Sequence, residues 1–100
     1  MLTVTDEAVK AVKKMVERSE FPETGGLRIY STPVTGSEAM IRLTVVGESE
    51  EGDQVIESDG ARIFLEEKAA LFLDDKALNA GFEDQSIRFA IETLPSGTDV

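Results

Sequence analysis

Gln54-Val55-Ile56-Glu57-Ser58-Asp59-Gly60-Ala61-Arg62-Ile63-Phe64-Leu65 is the stretch from which the fold of this chain is read most directly. Two runs rich in β-forming residues, 54–58 and 61–65, flank Asp59-Gly60. A two-residue type I′ turn needs positive φ at both central positions, and Asp-Gly tolerates it. The stretch therefore predicts a hairpin. Downstream, Glu66 to Leu73 predicts a short helix opened by Glu66 and Glu67 and closed by Asp74-Asp75. Ala69, Ala70, Leu71 and Leu73 supply its helix formers and apolar contacts. Leu78, Ala80 and Phe82 then alternate as a strand, 83–86 turns, and Ile87, Phe89 and Ile91 alternate as the last strand. Upstream, Leu27, Ile29 and Ser31 alternate with Arg28 and Tyr30, and Ile41, Leu43 and Val45 alternate with Arg42 and Thr44. The loop between these two strands is expected over 32–37.

The N-terminal segment has a different period. Thr5 is a suitable N-cap, Asp6 and Glu7 fall where a helix dipole favours anions, and Ala8, Val12, Met15 and Val16 recur at helical spacing. Phe21-Pro22 and Gly25-Gly26 end this helix and turn the chain. Phe72, Phe82, Phe89 and Tyr30 fall on the apolar rhythm and are expected in the core or at its edge. The sum is an α+β, mainly β chain. It has about six or seven short, mostly antiparallel strands, an N-terminal helix and one short helix. Residues 1–92 are expected to form one domain. Residues 93–100, with Pro95, Ser96 and Gly97, are expected to be a flexible tail.

Composition removes whole classes of chemistry. The 100 residues contain no His, Cys or Trp, with 10 Lys+Arg against 20 Asp+Glu and a net charge of −10. Neither a thiolate nor an imidazole is available to ligate a metal, attack a carbonyl or relay a proton near neutral pH. An acidic surface repels phosphate backbones and anionic lipid, so neither nucleic acid nor membrane is an expected partner. The N-terminus lacks the apolar stretch of a signal peptide, and the cytoplasm is the expected compartment.

The order and residues of these elements resemble the HesB-like domain of A-type, IscA-type iron–sulfur cluster carriers. The matching motifs are Leu2-Thr-Val-Thr-Asp-Glu-Ala, then Gly26-Leu27-Arg28-Ile29, then Asp59-Gly60-Ala61-Arg62-Ile63-Phe64-Leu65 followed by Leu71-Phe72-Leu73-Asp74. The resemblance covers roughly residues 1–91. It implies the HesB-like fold, a place near iron–sulfur assembly and self-association as dimers or tetramers. It does not extend to ligation. The family's first Cys falls near Gly36, and its C-terminal Cys-Gly-Cys pair corresponds to the tail Thr93 to Val100, which has neither thiol. The oxygen donors present are hard, whereas clusters select soft thiolates.

The acidic loop Glu48, Glu50, Glu51 and Asp53 fails the EF-hand spacing, since Gly47 and Ser49 stand where carboxylates are needed, and is expected to be solvated. Lys68 and Lys76 read as surface lysines, and the loop 32–37 lacks a P-loop ending. Thr98-Asp99-Val100 has only the form of a PDZ-binding end. No catalytic, cofactor-binding or metal-ligating residue is assigned, and no cofactor is expected. The expected function is non-enzymatic: a cluster-free HesB-like protein acting through a protein partner, accessory or regulatory to iron–sulfur assembly. The alternative is a small-cation or metabolite binder using carboxylates in place of the lost cysteines.

Overall fold

In the computed structural model the first helix, α1 (Asp6–Glu17), begins where its cap chemistry places it. The Thr5 hydroxyl oxygen accepts from the Ala8 N–H at 3.2 Å and the hydroxyl donates to Asn79 Oδ1 at 2.8 Å. One side chain thus satisfies an orphan helix donor and ties the helix start to a strand more than seventy residues away. Ala8, Val9, Ala11, Val12 and Val16 form the buried stripe. Met15 is only half-buried, because it stands at the border of that stripe.

The structure describes residues 1–36, 39–84 and 86–93. Around α1 lie seven strands in two sheets. The strands are β1 (Thr3–Val4), β2 (Gly26–Pro33), β3 (Ala39–Val46), β4 (Gln54–Ser58), β5 (Ala61–Leu65), β6 (Lys76–Glu83) and β7 (Ser86–Thr93). The second helix, α2 (Glu67–Leu73), joins β5 to β6. The four-stranded sheet has the order β3-β2-β5-β4, and the three-stranded sheet the order β1-β6-β7. Three of the pairings are antiparallel, β2 with β3, β4 with β5 and β6 with β7. Two are parallel, β1 with β6 and β2 with β5. The chain is α+β and mainly β, as its pattern predicts.

Helix α1 packs against β6 of one sheet and β5 and β2 of the other, so one helix closes both. Val12 of α1 and Leu27, Ile29, Ile63, Leu65 and Leu78 of the strands are the largest fully buried side chains and members of one core. The Asp59-Gly60 turn takes φ of 47° and 88°, the two positive values that a type I′ hairpin needs. Gly26 is required by proximity instead. A Cβ there would lie 2.7 Å from the Arg62 carbonyl oxygen and 2.9 Å from the Phe64 ring, so only glycine lets β2 start beside β5.

The structure departs from expectation in three places. Thr32 and Pro33 belong to β2, paired with Met40 and Ala39, because the register of the hairpin carries on past the alternating apolar residues. Leu71 and Phe72 are 79% and 54% exposed. Helix α2 has seven residues, and Ala69 and Leu73, one turn apart, take its inward face, which leaves Leu71 and Phe72 on the other. Phe82 is 45% exposed, since it stands near the end of β6, beyond the reach of the core. Phe89 and Tyr30 are half-buried. Of the expected tail, Thr93 ends β7 and residues 94–100, including Thr98-Asp99-Val100, lie outside the described residues. Among the described residues no helix is long and apolar enough to cross a membrane.

Candidate functional site

The β2 strand sends two polar residues, Arg28 and Ser31, to two acidic segments that follow it in sequence. Arg28 is half-buried on the strand, in register with Thr44 of β3 and Phe64 of β5. Its guanidinium makes two parallel bonds to Asp53, Nε to Oδ2 and Nη2 to Oδ1, both 3.0 Å. Nη1 lies 3.8 Å from Glu50 Oε2. The planar fork matches a carboxylate, and such pairs hold orientation as well as charge. Asp53 also accepts from the Glu50 N–H at 2.9 Å, while its own N–H donates to the Glu50 carbonyl at 3.0 Å. Gly52, at φ 89°, allows this tight turn. The guanidinium carbon lies 5.5 Å from the Tyr30 ring centre.

Asp53 corrects the expectation of a wholly solvated acidic loop. Its side chain is 2% exposed, whereas Glu48, Glu50 and Glu51 face solvent. The hydrogen bond from Arg28 holds the Asp53 carboxyl below its ordinary value of 3.8, against the opposing effect of burial, and the Glu50 N–H adds to it. The same bond raises the Arg28 guanidinium above its ordinary value.

Glu66 forms a second latch. It is the N-cap of α2, yet its side chain makes no cap bond to that helix. Oε1 instead accepts from both the Ser31 N–H and the Ser31 hydroxyl at 3.0 Å. The Glu66 N–H donates to the Ile29 carbonyl at 2.9 Å, continuing the parallel β2–β5 pairing by one residue. The Ser31 N–H, then burial in opposition, then the Ser31 hydroxyl set its carboxyl below the ordinary 4.5. The two latches fasten the 48–53 loop and the start of α2 to one strand.

Between them opens a cleft of about 510 Å³. Arg28, Asp53 and Glu66 line it together with Pro33, Gly36 and Phe72. Gly36 is the position nearest the family's first Cys. It has φ 53°, and a Cβ there would meet nothing within 4 Å. The positions matching the C-terminal Cys pair lie outside the described residues. No residue of the chain is a Cys, so the donors on offer are carboxylate, hydroxyl and carbonyl oxygens, which do not fit an iron–sulfur cluster. Among the described residues no three carboxylates stand together to hold a metal ion. Lys68 is exposed and also lines the cleft, and Lys76 pairs with Asp75 at 2.6 Å.

The Arg28–Asp53 pair and the Glu66–Ser31 latch were missed by pattern reading. Alternation along β2 puts Arg28 on the face opposite Leu27 and Ile29, which reads as a solvent-facing cation and gives no sign of a buried partner. Nothing in the local pattern distinguishes Asp53 from Glu50 or Glu51 as that partner.

No protein-family model matches the chain. An uncharacterized protein of Bradyrhizobium diazoefficiens is 25% identical over 99 residues, 99% of this chain and 92% of that protein. Among solved structures, Escherichia coli SufA, involved in biosynthesis of iron–sulfur clusters, superposes with a TM-score of 0.78 at 22% identity. That match covers 99% of this chain and 85% of SufA. IscA with its 2Fe–2S cluster superposes with a TM-score of 0.66 at 19% identity, over 93% of this chain and 82% of IscA. The chain has the HesB-like, IscA-type fold, built without a single cysteine.

Proposed function

We propose that this chain works without catalysis and without a cluster of its own, through contact with another protein, as an accessory or regulator of iron–sulfur assembly in the cytoplasm. The observation that carries this reading is the pairing of a SufA-like scaffold with a chain that has no thiolate anywhere. The cleft supports the non-enzymatic part. Arg28 and Asp53 are bonded to each other and Glu66 is bonded to Ser31, whereas a general acid or base would need a perturbed group free to reach a substrate. The rim supports the contact part: Phe72 on the cleft wall and Leu71 beside it are large apolar side chains turned to solvent.

Affinity capture of the tagged chain from its own cells, with gentle crosslinking and mass spectrometry, tests the reading. Recovery of cysteine desulfurase, scaffold or carrier proteins is the expected result. Recovery of unrelated proteins alone removes the link to iron–sulfur assembly. Anaerobic incubation with Fe²⁺ and sulfide should give no visible cluster absorption, and a stoichiometric cluster spectrum overturns the cluster-free reading. Self-association is read separately, by sedimentation at high micromolar concentration. The alternative, a small-cation or metabolite binder using carboxylates, is less favoured for a cation: among the described residues no three carboxylates stand together, and Asp53 and Glu66 are bonded internally.

A further inference from the structure

One side of helix α1 gathers cations, although over its length Lys10, Lys13 and Lys14 are balanced by Asp6, Glu7 and Glu17. Lys10, Lys13, Lys14 and Arg18 occupy positions i, i+3, i+4 and i+8, which places them along one side of the helix, and all four are exposed. Among the described residues none of them is ion-paired, whereas Arg28, Arg62 and Lys76 are. A chain of net charge −10 carries four of its ten cations in this one ridge.

The ridge has an apolar floor. Phe82 is 45% exposed and stands beside it, with the Lys14 ammonium 5.9 Å from the ring centre. The ring separates two shallow clefts. One, about 440 Å³, is lined by Lys10, Lys13, Lys14, Glu17 and Phe82. The other, about 450 Å³, is lined by Lys14, Arg18 and Phe82 with Asp84, Ser86 and Ile87. Each has more cations than anions. The lysine stems offer methylene surface while their heads stay in water, so an apolar side chain placed on Phe82 would be flanked by positive charge.

We infer that the Lys10–Arg18 ridge and Phe82 form a docking surface for an acidic peptide segment of a partner protein, one carrying an aliphatic side chain that seats on the Phe82 ring. The choice of occupant follows from charge and from the floor. A nucleic acid presents uniform charge that continues past the ridge onto a strongly acidic surface, where it is repelled. A short segment with carboxylates around one apolar residue matches both the cations and the ring and ends where the ridge ends. This surface is separate from the cleft beneath Gly36, and it stands or falls independently of any role in iron–sulfur assembly.

The test uses a fluorescein-labelled synthetic peptide of Glu and Asp residues with one central Leu, titrated with the full chain at low salt and followed by anisotropy. The ¹⁵N spectrum of the labelled chain locates the contact. Saturable binding that weakens with salt, with shifts confined to residues 10–18 and 82, is the expected result. Lys10→Glu combined with Lys14→Glu should weaken it at least about tenfold. Phe82→Ser should weaken the Leu peptide more than a peptide with Gly in its place. Unchanged circular dichroism of these surface variants separates lost binding from lost fold, and Lys14→Gln is the milder control. Absence of saturable binding, shifts centred elsewhere, equal binding of an all-Gln peptide, or equal binding of a single-stranded DNA of matched charge would each overturn the assignment.

Discussion

The cleft under β2 and the ridge on α1 each assemble several charges, but they bond them differently. In the cleft every central group has a partner: Arg28 with Asp53, Glu66 with Ser31. The side chains of Arg28 and Asp53 are 13% and 2% exposed. On the ridge the four cations face water and form no ion pair among the described residues. Desolvation accounts for the contrast. A buried charge is tolerated only with a matched partner, so the cleft's charges serve to hold backbone segments together. A hydrated charge on a helix surface has no such obligation and is available to something outside the chain. Partial burial therefore marks the charges that build this protein, and exposure marks those that can meet another.

Substitutions can break this contrast. The largest effect is expected from Asp53→Asn, which leaves the Arg28 guanidinium partly buried without its counter-ion. A loss of about 2–4 kcal/mol of unfolding free energy follows, read from urea midpoints. An unchanged midpoint would mean that the loop is not fastened by this pair. Glu66→Gln keeps one acceptor for Ser31 but removes the charge, and should cost about 1 kcal/mol.

The two carboxylates also predict an acid profile. Folding lowers the pKa of Asp53 and of Glu66, so the unfolded chain binds more protons than the folded one. Their contribution is complete above the ordinary values of 3.8 and 4.5 and is lost as pH falls through the folded-state values. Urea midpoints of the parent chain should therefore fall between about pH 5 and pH 3. The double variant Asp53→Asn with Glu66→Gln should show a shallower fall over that range, and an equal slope would assign the acid sensitivity to other groups. The smallest effect sharpens the comparison from the other side. Lys13→Gln on the ridge should leave the midpoint unchanged within error.

The same distinction explains what could be read from sequence. The hairpin at Asp59-Gly60 was legible to the residue because its turn chemistry is local. Helix α1 was legible because twelve residues suffice to repeat an apolar stripe, and Thr5 announces its start. Helix α2 was legible as a helix but not in its orientation. Over seven residues Leu71, Phe72 and Leu73 are equally apolar, and only the packing of Ala69 and Leu73 against the core says which way the others point. The latches were hidden for a further reason. Arg28 and Asp53 are 25 residues apart and Ser31 and Glu66 are 35, and both pairs meet only because β2 lies beside β5. A pairing created by a parallel crossover leaves no periodic trace in the chain.

The parallel pairing of β1 with β6, Thr3 beside Ala77 and Val4 beside Leu78, also sets an order of events in folding. The three antiparallel hairpins close short loops and can form early, whereas closing a loop of this length carries a larger entropy cost before any contact rewards it. Until β6 arrives, α1 has neither Asn79 to hold its cap nor Leu78 to cover its stripe. A chain emerging from the ribosome therefore carries an amphipathic helix with half its floor missing until most of its length has been made. Docking of β1 onto β6 is accordingly expected late in folding.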